Sequence, residues 1–250
     1  MKVGEQAHLW SNAWMYGSRN DSDGLTEYGL FDADMTPRDR YDRTNDGESF
    51  WGSMDIGLGF VQLFEPQKEE LRIDGRFSSG ADENDARNSR AFFMGDGQPV
   101  ELPVELTLND VESGNGNLSI QADYFRPLGG GKIEVGYRAS RRDQDDDNLL
   151  RIFESPESQD PRERTHSGYD YQETFHSAYV TLSHPIGKFS IQGGLRGENA
   201  STYFESRVTD DEIDRTYTTL YPSLSLSYSP QQGRTLRLQY SRRVRRPNAW

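Results

Sequence analysis

The stretch Leu220-Tyr-Pro-Ser-Leu-Ser-Leu-Ser-Tyr228, the six residues Ser229-Pro-Gln-Gln-Gly-Arg234, and the stretch Thr235-Leu-Arg-Leu-Gln-Tyr240 decide how this chain folds. Leu220, Pro222, Leu224, Leu226 and Tyr228 fall on one parity, and serines fill most of the other. Leu236, Leu238 and Tyr240 repeat the pattern against Thr235, Arg237 and Gln239. A period of two means extended strands with one apolar and one polar face. The Pro/Gly-containing joint makes the pair a hairpin.

The same pattern recurs upstream. About ten strands are expected: His8 to Tyr16, Leu25 to Ala33, Trp51 to Phe64, Leu71 to Ser78, Leu118 to Phe125, Lys132 to Ser140, Phe175 to Leu182, Phe189 to Glu198, and the two of the final hairpin. Their connections alternate in length. Turns near 20, 66, 128, 185 and 231 are short, and loops near 41, 96, 156 and 207 are long. Alternating strands with alternating short and long connections are how an antiparallel transmembrane β-barrel of the outer-membrane type is written. The long loops, including 79–115 and 142–172, are then expected on the outer side. A soluble β-sandwich or lipocalin-like barrel is the competing fold, since it also alternates. Charges in mid-strand on the polar parity, such as Arg72, Asp74, Arg76, Glu134 and Arg138, argue against it.

Composition fits this reading. Only 33% of the 250 residues are hydrophobic and 28% are charged. A barrel wall needs apolar residues only at alternate positions, so this composition excludes helical spans and leaves strand spans open. Aromatics at 12% are too many for disorder and suit interfacial girdles. The absence of cysteine excludes disulfide scaffolds and thiolate metal sites. A net charge of -13 argues against nucleic-acid partners. Met1-Lys2-Val3-Gly4-Glu5 is followed by no apolar segment, so it is not a signal peptide. An exported protein needs one, so either the signal was removed or the chain begins inside a longer protein; the second is expected, because the first residues already read as part of a strand.

Two segments carry candidate chemistry. Asp143-Gln-Asp-Asp-Asp-Asn-Leu-Leu-Arg-Ile-Phe-Glu154 places Asp143, Asp145, Asp147 and Glu154 at calcium-loop spacing, with Asn148 where glycine is required. No helices flank it, and a solvated acidic loop is the plainer reading. No other cofactor is implied. Arg242, Arg243, Arg245 and Arg246 follow the last strand, and guanidinium groups match phosphate bidentately. In an acidic barrel they read as lumen or lipopolysaccharide-phosphate contacts. The four histidines are scattered, and no Ser/His/Asp set has interpretable spacing, so the chain is not expected to be an enzyme.

Tyr221-Pro-Ser-Leu-Ser-Leu-Ser-Tyr228 followed by Leu238-Gln-Tyr-Ser-Arg-Arg-Val-Arg-Arg-Pro247 resembles the barrel of TonB-dependent receptors and the outer-membrane-protein β-barrel family found alongside them. Gly130-Gly-Lys-Ile-Glu-Val-Gly-Tyr137, His176-Ser-Ala-Tyr-Val180 and Gly187-Lys-Phe-Ser-Ile-Gln-Gly-Gly-Leu-Arg-Gly-Glu198 resemble it in the same order. The resemblance runs from about residue 50 to the end. It implies energised uptake of a scarce ligand such as a siderophore, glycan or peptide. The Gram-negative outer membrane is the implied location. Its lipid and lipopolysaccharide, and the energy-transducing TonB complex, reached through an absent N-terminal part, are the implied partners. Residues 1–250 would form one partial barrel domain, an incomplete barrel without plug domain or remaining strands. The alternatives are a non-transporting structural or binding barrel and a soluble β-sandwich binding module.

Overall fold

The computed structural model describes residues 6–65, 69–94, 98, 104–209, 211–231 and 233–243. These form one antiparallel sheet of nine strands in sequence order. The strands are β1 (Ala7–Phe31), β2 (Pro37–Glu65), β3 (Glu69–Met94), β4 (Glu105–Leu128), β5 (Gly131–Phe153), β6 (Glu163–Ile186), β7 (Phe189–Ser206), β8 (Glu212–Gln231) and β9 (Arg234–Ser241). Each strand pairs only with its neighbours in sequence, and β1 and β9 do not meet. The sheet is therefore an unclosed meander.

The final hairpin forms as its alternation requires. Leu226 lies opposite both Ile191 and Leu238, and Ser225 opposite Gln192 and Gln239. Directly opposed residues share a face, so the register carries each parity across the whole sheet. Met54, Ile56, Leu58 and Phe60 of β2, Leu71, Ile73 and Phe77 of β3, and Leu118, Ile120 and Tyr124 of β4 are on one face. Ile133, Val135 and Tyr137 of β5 continue it. Among the described residues no second layer covers this face. Leu58, Leu118, Ile120, Leu182, Leu224, Leu236 and Leu238 stay at least half exposed. Water does not tolerate so large an apolar surface, and a membrane requires one. This single layer rules out the soluble sandwich among the described residues.

The apolar band has limits. At the tight-turn end it is bounded by rings: Phe64 packs edge-on against Tyr124 at 6.5 Å, and Phe189 stacks on Tyr228 at 4.6 Å. At the other end lie Phe77 and Leu118. Leu118 and Tyr124 are about 20 Å apart along the strand, or about 16 Å in height at a tilt near 40°, which fits inside an outer-membrane hydrocarbon band.

Two expectations fail. The turn expected at Arg19-Asn-Asp-Ser-Asp-Gly24 does not exist: this segment is the middle of β1, with Asp21 opposite Glu48 and Gly24 opposite Asn45. The first reversal is at Asp32–Thr36, where Met35 takes a φ of 65° and its amide donates to Asp32 O at 2.9 Å. That reversal merges two expected strands into β1, giving nine strands in place of ten. The long polar loops also shrink. Most of 35–48, 79–115, 142–172 and 199–219 is strand, and the connections are only 32–36, 95–104, 154–162 and 207–211. Above the membrane both faces of a strand meet water, so both parities become polar while the hydrogen-bond ladder continues. The tight turns near 128, 185 and 231 hold, while the one expected near 66 falls on residues 66–68, outside the described residues. Gly129, Gly130, Gly187 and Gly233 supply the positive φ that they need.

Candidate functional site

The opposite face of the sheet is concave and polar. Its residues fall into rows perpendicular to the strands. One row runs Trp10, Gly59, Asp74, Gln121, Arg138, Ser177 and Glu198. The row nearer the tight turns runs through Arg72, Asp123, Gly136, Tyr179, Arg196 and Tyr221. A concavity of about 600 Å³ lies over β1–β5 between Trp10, Trp14, Asp55, Arg76, Gln121 and Arg138.

The wall is internally bonded. The Tyr179 hydroxyl donates to Asp123 Oδ1 at 2.6 Å and lies 3.0 Å from Glu134 Oε1. Gln121 Nε2 donates to Asp123 Oδ2 at 2.8 Å. Asp123 is buried, so both of its oxygens need such donors. Gly136 makes the arrangement fit, because a Cβ there would collide with the Tyr179 ring and the Asp123 carboxylate. Arg196 pairs with buried Glu198 at 2.8 Å and stands over the Tyr221 ring at 5.2 Å. Arg76 pairs with Asp55 at 2.7 Å. These balanced pairs hold a charged surface in place without a sealed core.

The expected site residues are distributed differently. Asp143, Asp145 and Asp147 lie on β5, on the outward face and above the lipid band, and Glu154 lies in the connection after it. The expected loop is an extended strand, which strings the carboxylates out along its length. Among the described residues no group of three or more His, Cys, Asp or Glu is placed to hold a metal. Asp143 and Asp147 instead each have a cation. Arg141 Nη2 sits 2.9 Å from Asp143. Arg207, at the β7–β8 connection, spans Asp147 at 2.6 Å and Asp170 at 2.8 Å, and His166 adds a contact to Asp147 at 2.8 Å. The hydrogen bond from Arg207, then that from His166, holds the Asp147 carboxyl below its ordinary range. Arg141 does the same to Asp143.

Arg242 and Arg243 border a smaller concavity of about 300 Å³ with Tyr179, Arg196 and Tyr221 on the inward face. Arg245 and Arg246 lie outside the described residues. His176 accompanies the outward Tyr137, whose hydroxyl is 2.7 Å from Nδ1.

Sequence reasoning missed the inward residues just above the band. Tyr16 opposes Ser53, which opposes Gly80, and the row continues through Asn115, Gln144 and Tyr171 to Phe204. Trp51 packs edge-on against Tyr16 at 5.6 Å, and Tyr169 stacks with Phe204 at 5.8 Å. Gln144 Nε2 donates to the Tyr169 hydroxyl at 2.7 Å. Burial pushes the Tyr169 and Tyr171 phenols up. Their parity was readable, but only for a strand that runs through the acidic stretch.

The sequence matches the family model described as the outer membrane protein beta-barrel family over residues 62–250. No curated protein matches it. Solved structures that resemble it include the unliganded ferric citrate transporter FecA (13% identity, TM-score 0.39, 94% of this chain and 41% of that one). The ferric-catecholate import receptor Fiu from K12 E. coli matches at 8% identity and TM-score 0.40, over 94% of this chain and 49% of that one. The alcaligin outer-membrane receptor FauA from Bordetella pertussis matches at 10% identity and TM-score 0.39, over 96% of this chain and 44% of that one. The chain thus spans less than half the length of each of these receptors.

Proposed function

From the premise that the chain belongs to the outer membrane protein beta-barrel family, we propose that it is wall from a TonB-dependent receptor that takes up a scarce ligand. The family places it in the outer membrane of a Gram-negative bacterium, where the outward band meets lipid and lipopolysaccharide. The observation that carries the transport reading is the inner face. Nine strands have not closed, and their concave side bears Asp55, Asp74, Arg76, Asp123, Arg138 and Glu198. An eight-stranded barrel is narrow enough for side chains to fill, whereas a wider one encloses a channel or a plugged lumen. A polar wall on an unclosed nine-stranded sheet fits the wider kind. It supports passage of a ligand rather than catalysis, with energy delivered through TonB to a part of the receptor outside this sheet.

The test is growth of the source bacterium on single sources of iron, carbohydrate or peptide. Deleting the full-length gene and deleting TonB should each abolish growth on the same ligand class at limiting concentration. A gene-deleted strain that grows like its parent on every source would refute the proposal.

A further inference from the structure

We propose that the inward face beyond the apolar band binds an uncharged oligosaccharide, stacked at one end on Tyr16 and Trp51 and at the other on Tyr169, Tyr171 and Phe204, with the exposed Asn115 hydrogen-bonding it between. This rests on the receptor reading above, because only a lumen open to the outside lets a ligand reach this height.

The row from Tyr16 to Phe204 crosses six strand-to-strand steps, about 29 Å, long enough for several sugar units. Aromatic residues are ordinarily placed at this height to face lipid. Here the register puts them on the parity of Ser53, Asn115 and Gln144, facing the lumen. A girdle therefore does not account for them. Trp51 is 45% exposed, so its ring remains available.

The chemistry selects the ligand class. Ring faces take the C–H faces of a sugar. Side-chain amides donate and accept at once, as sugar hydroxyls do. Between the two aromatic ends the row carries no charge: it holds Ser53, Gly80, Asn115 and Gln144. Gly80 leaves room for the Asn115 amide, whose Nδ2 would lie 2.9 Å from a Cβ there. The adjacent rows bring Asp82 and Asp146 on one side and Glu173 on the other, against Arg142, while Asp55 in the same row as Glu173 is already paired with Arg76. That surplus accepts hydroxyl hydrogens and repels anions, which disfavours phosphorylated or carboxylated ligands.

The experiment uses the full-length receptor purified in lauryldimethylamine oxide, a detergent without a sugar headgroup. Maltohexaose, cellohexaose and xylohexaose are titrated calorimetrically, beside hexagalacturonate as the anion and hexalysine as the cationic peptide. At least one uncharged hexasaccharide should bind. Trp51→Ala and Tyr171→Ala should each weaken it about tenfold, and Tyr171→Phe, which keeps the ring, should not. Asn115→Ala is the second site, independent of the rings, and should also weaken binding. Each variant must keep the heat-modifiable gel migration of a folded barrel. Binding of only hexagalacturonate or hexalysine overturns the proposal, as does no binding by a folded receptor. Loss of TonB-dependent growth without oligosaccharide binding would leave the receptor reading standing and remove this one alone.

Discussion

Leu224→Arg and Ser225→Arg place the same charge on adjacent residues of β8 that face opposite ways. Leu224 lies opposite Gly193 and Tyr240 on the apolar face, half exposed for want of a protein layer over it. It is four residues from Tyr228, which stacks on Phe189 at the edge of the band. Four residues are about 14 Å along the strand, or about 10 Å in height at a tilt near 40°. The band is about 25 Å tall, so Leu224 is near its middle, where an arginine costs about 2–4 kcal/mol. That corresponds to a roughly 30- to 900-fold change in the unfolding equilibrium. Ser225 faces Gln192 and Gln239 on the lumen side, where a guanidinium stays hydrated and should cost less than about 0.5 kcal/mol. The assay is reversible guanidinium unfolding of the full-length protein in phospholipid vesicles, followed by tryptophan fluorescence. Equal destabilisation by the two substitutions, or a larger effect of Ser225→Arg, would refute the assignment of faces.

The topology can be checked by labelling intact cells with an impermeant maleimide: Ser158→Cys in the β5–β6 connection should react, and Gln231→Cys at the tight-turn end should not. Labelling of Gln231→Cys alone would invert the wall. Because Asp147 is held below its ordinary pKa, chiefly by Arg207 and then by His166, its folded-state preference is for the charged form. The stability it lends is complete above the unfolded carboxylate range near pH 3.9 and is lost as pH falls through the lower folded value. Hydrogen exchange at the Arg207 amide, which donates to Gly168 O at 2.9 Å, should therefore, once intrinsic rates are allowed for, lose protection only below about pH 4. Loss of protection already between pH 7 and 5 would assign the latch to another group. Gly136→Ala should displace Tyr179 from Asp123 and destabilise the barrel by about 1–3 kcal/mol. A wild-type unfolding midpoint for that variant would mean that the inner network tolerates a Cβ.

Which parts of this fold were legible follows from the range of the interactions that encode them. Face parity is local, and Leu224, Leu226 and Tyr228 announce it within five residues. The tight turns are local too, since glycines at 129, 130, 187 and 233 are needed for their φ. Strand length is not local. Arg19-Asn-Asp-Ser-Asp-Gly24 has the composition of a turn, yet its ladder partner, 45–50, lies more than twenty residues away and supplies the hydrogen bonds that keep it extended. The acidic run 143–147 was misread for the same reason. Composition suggests a loop, while pairing with 168–172 makes it strand and sends alternate carboxylates to opposite faces. The inner network of Asp123, Tyr179 and Glu134 spans three strands and 57 positions of sequence, and no spacing rule within one segment could assemble it.

Strand direction gives the inner wall its meaning. β1 ascends from the tight-turn end, every neighbour is antiparallel, and so β9, the ninth strand, ascends as well. The two edges cannot pair with each other in an antiparallel ladder, and a second copy inserted in the same sense would meet the same obstacle. An antiparallel barrel containing this sheet must set an odd number of further strands between β9 and β1. The wall is then at least ten strands around, beyond the eight at which inward side chains can fill the interior by themselves. The inward charges cannot reach across to bury one another. They pair within the wall instead, as Arg76 does with Asp55 and Arg196 with Glu198. Pairing of this kind keeps the wall rigid and electrically balanced while leaving it wet, which makes the inner rows a surface presented to whatever occupies the lumen rather than a core.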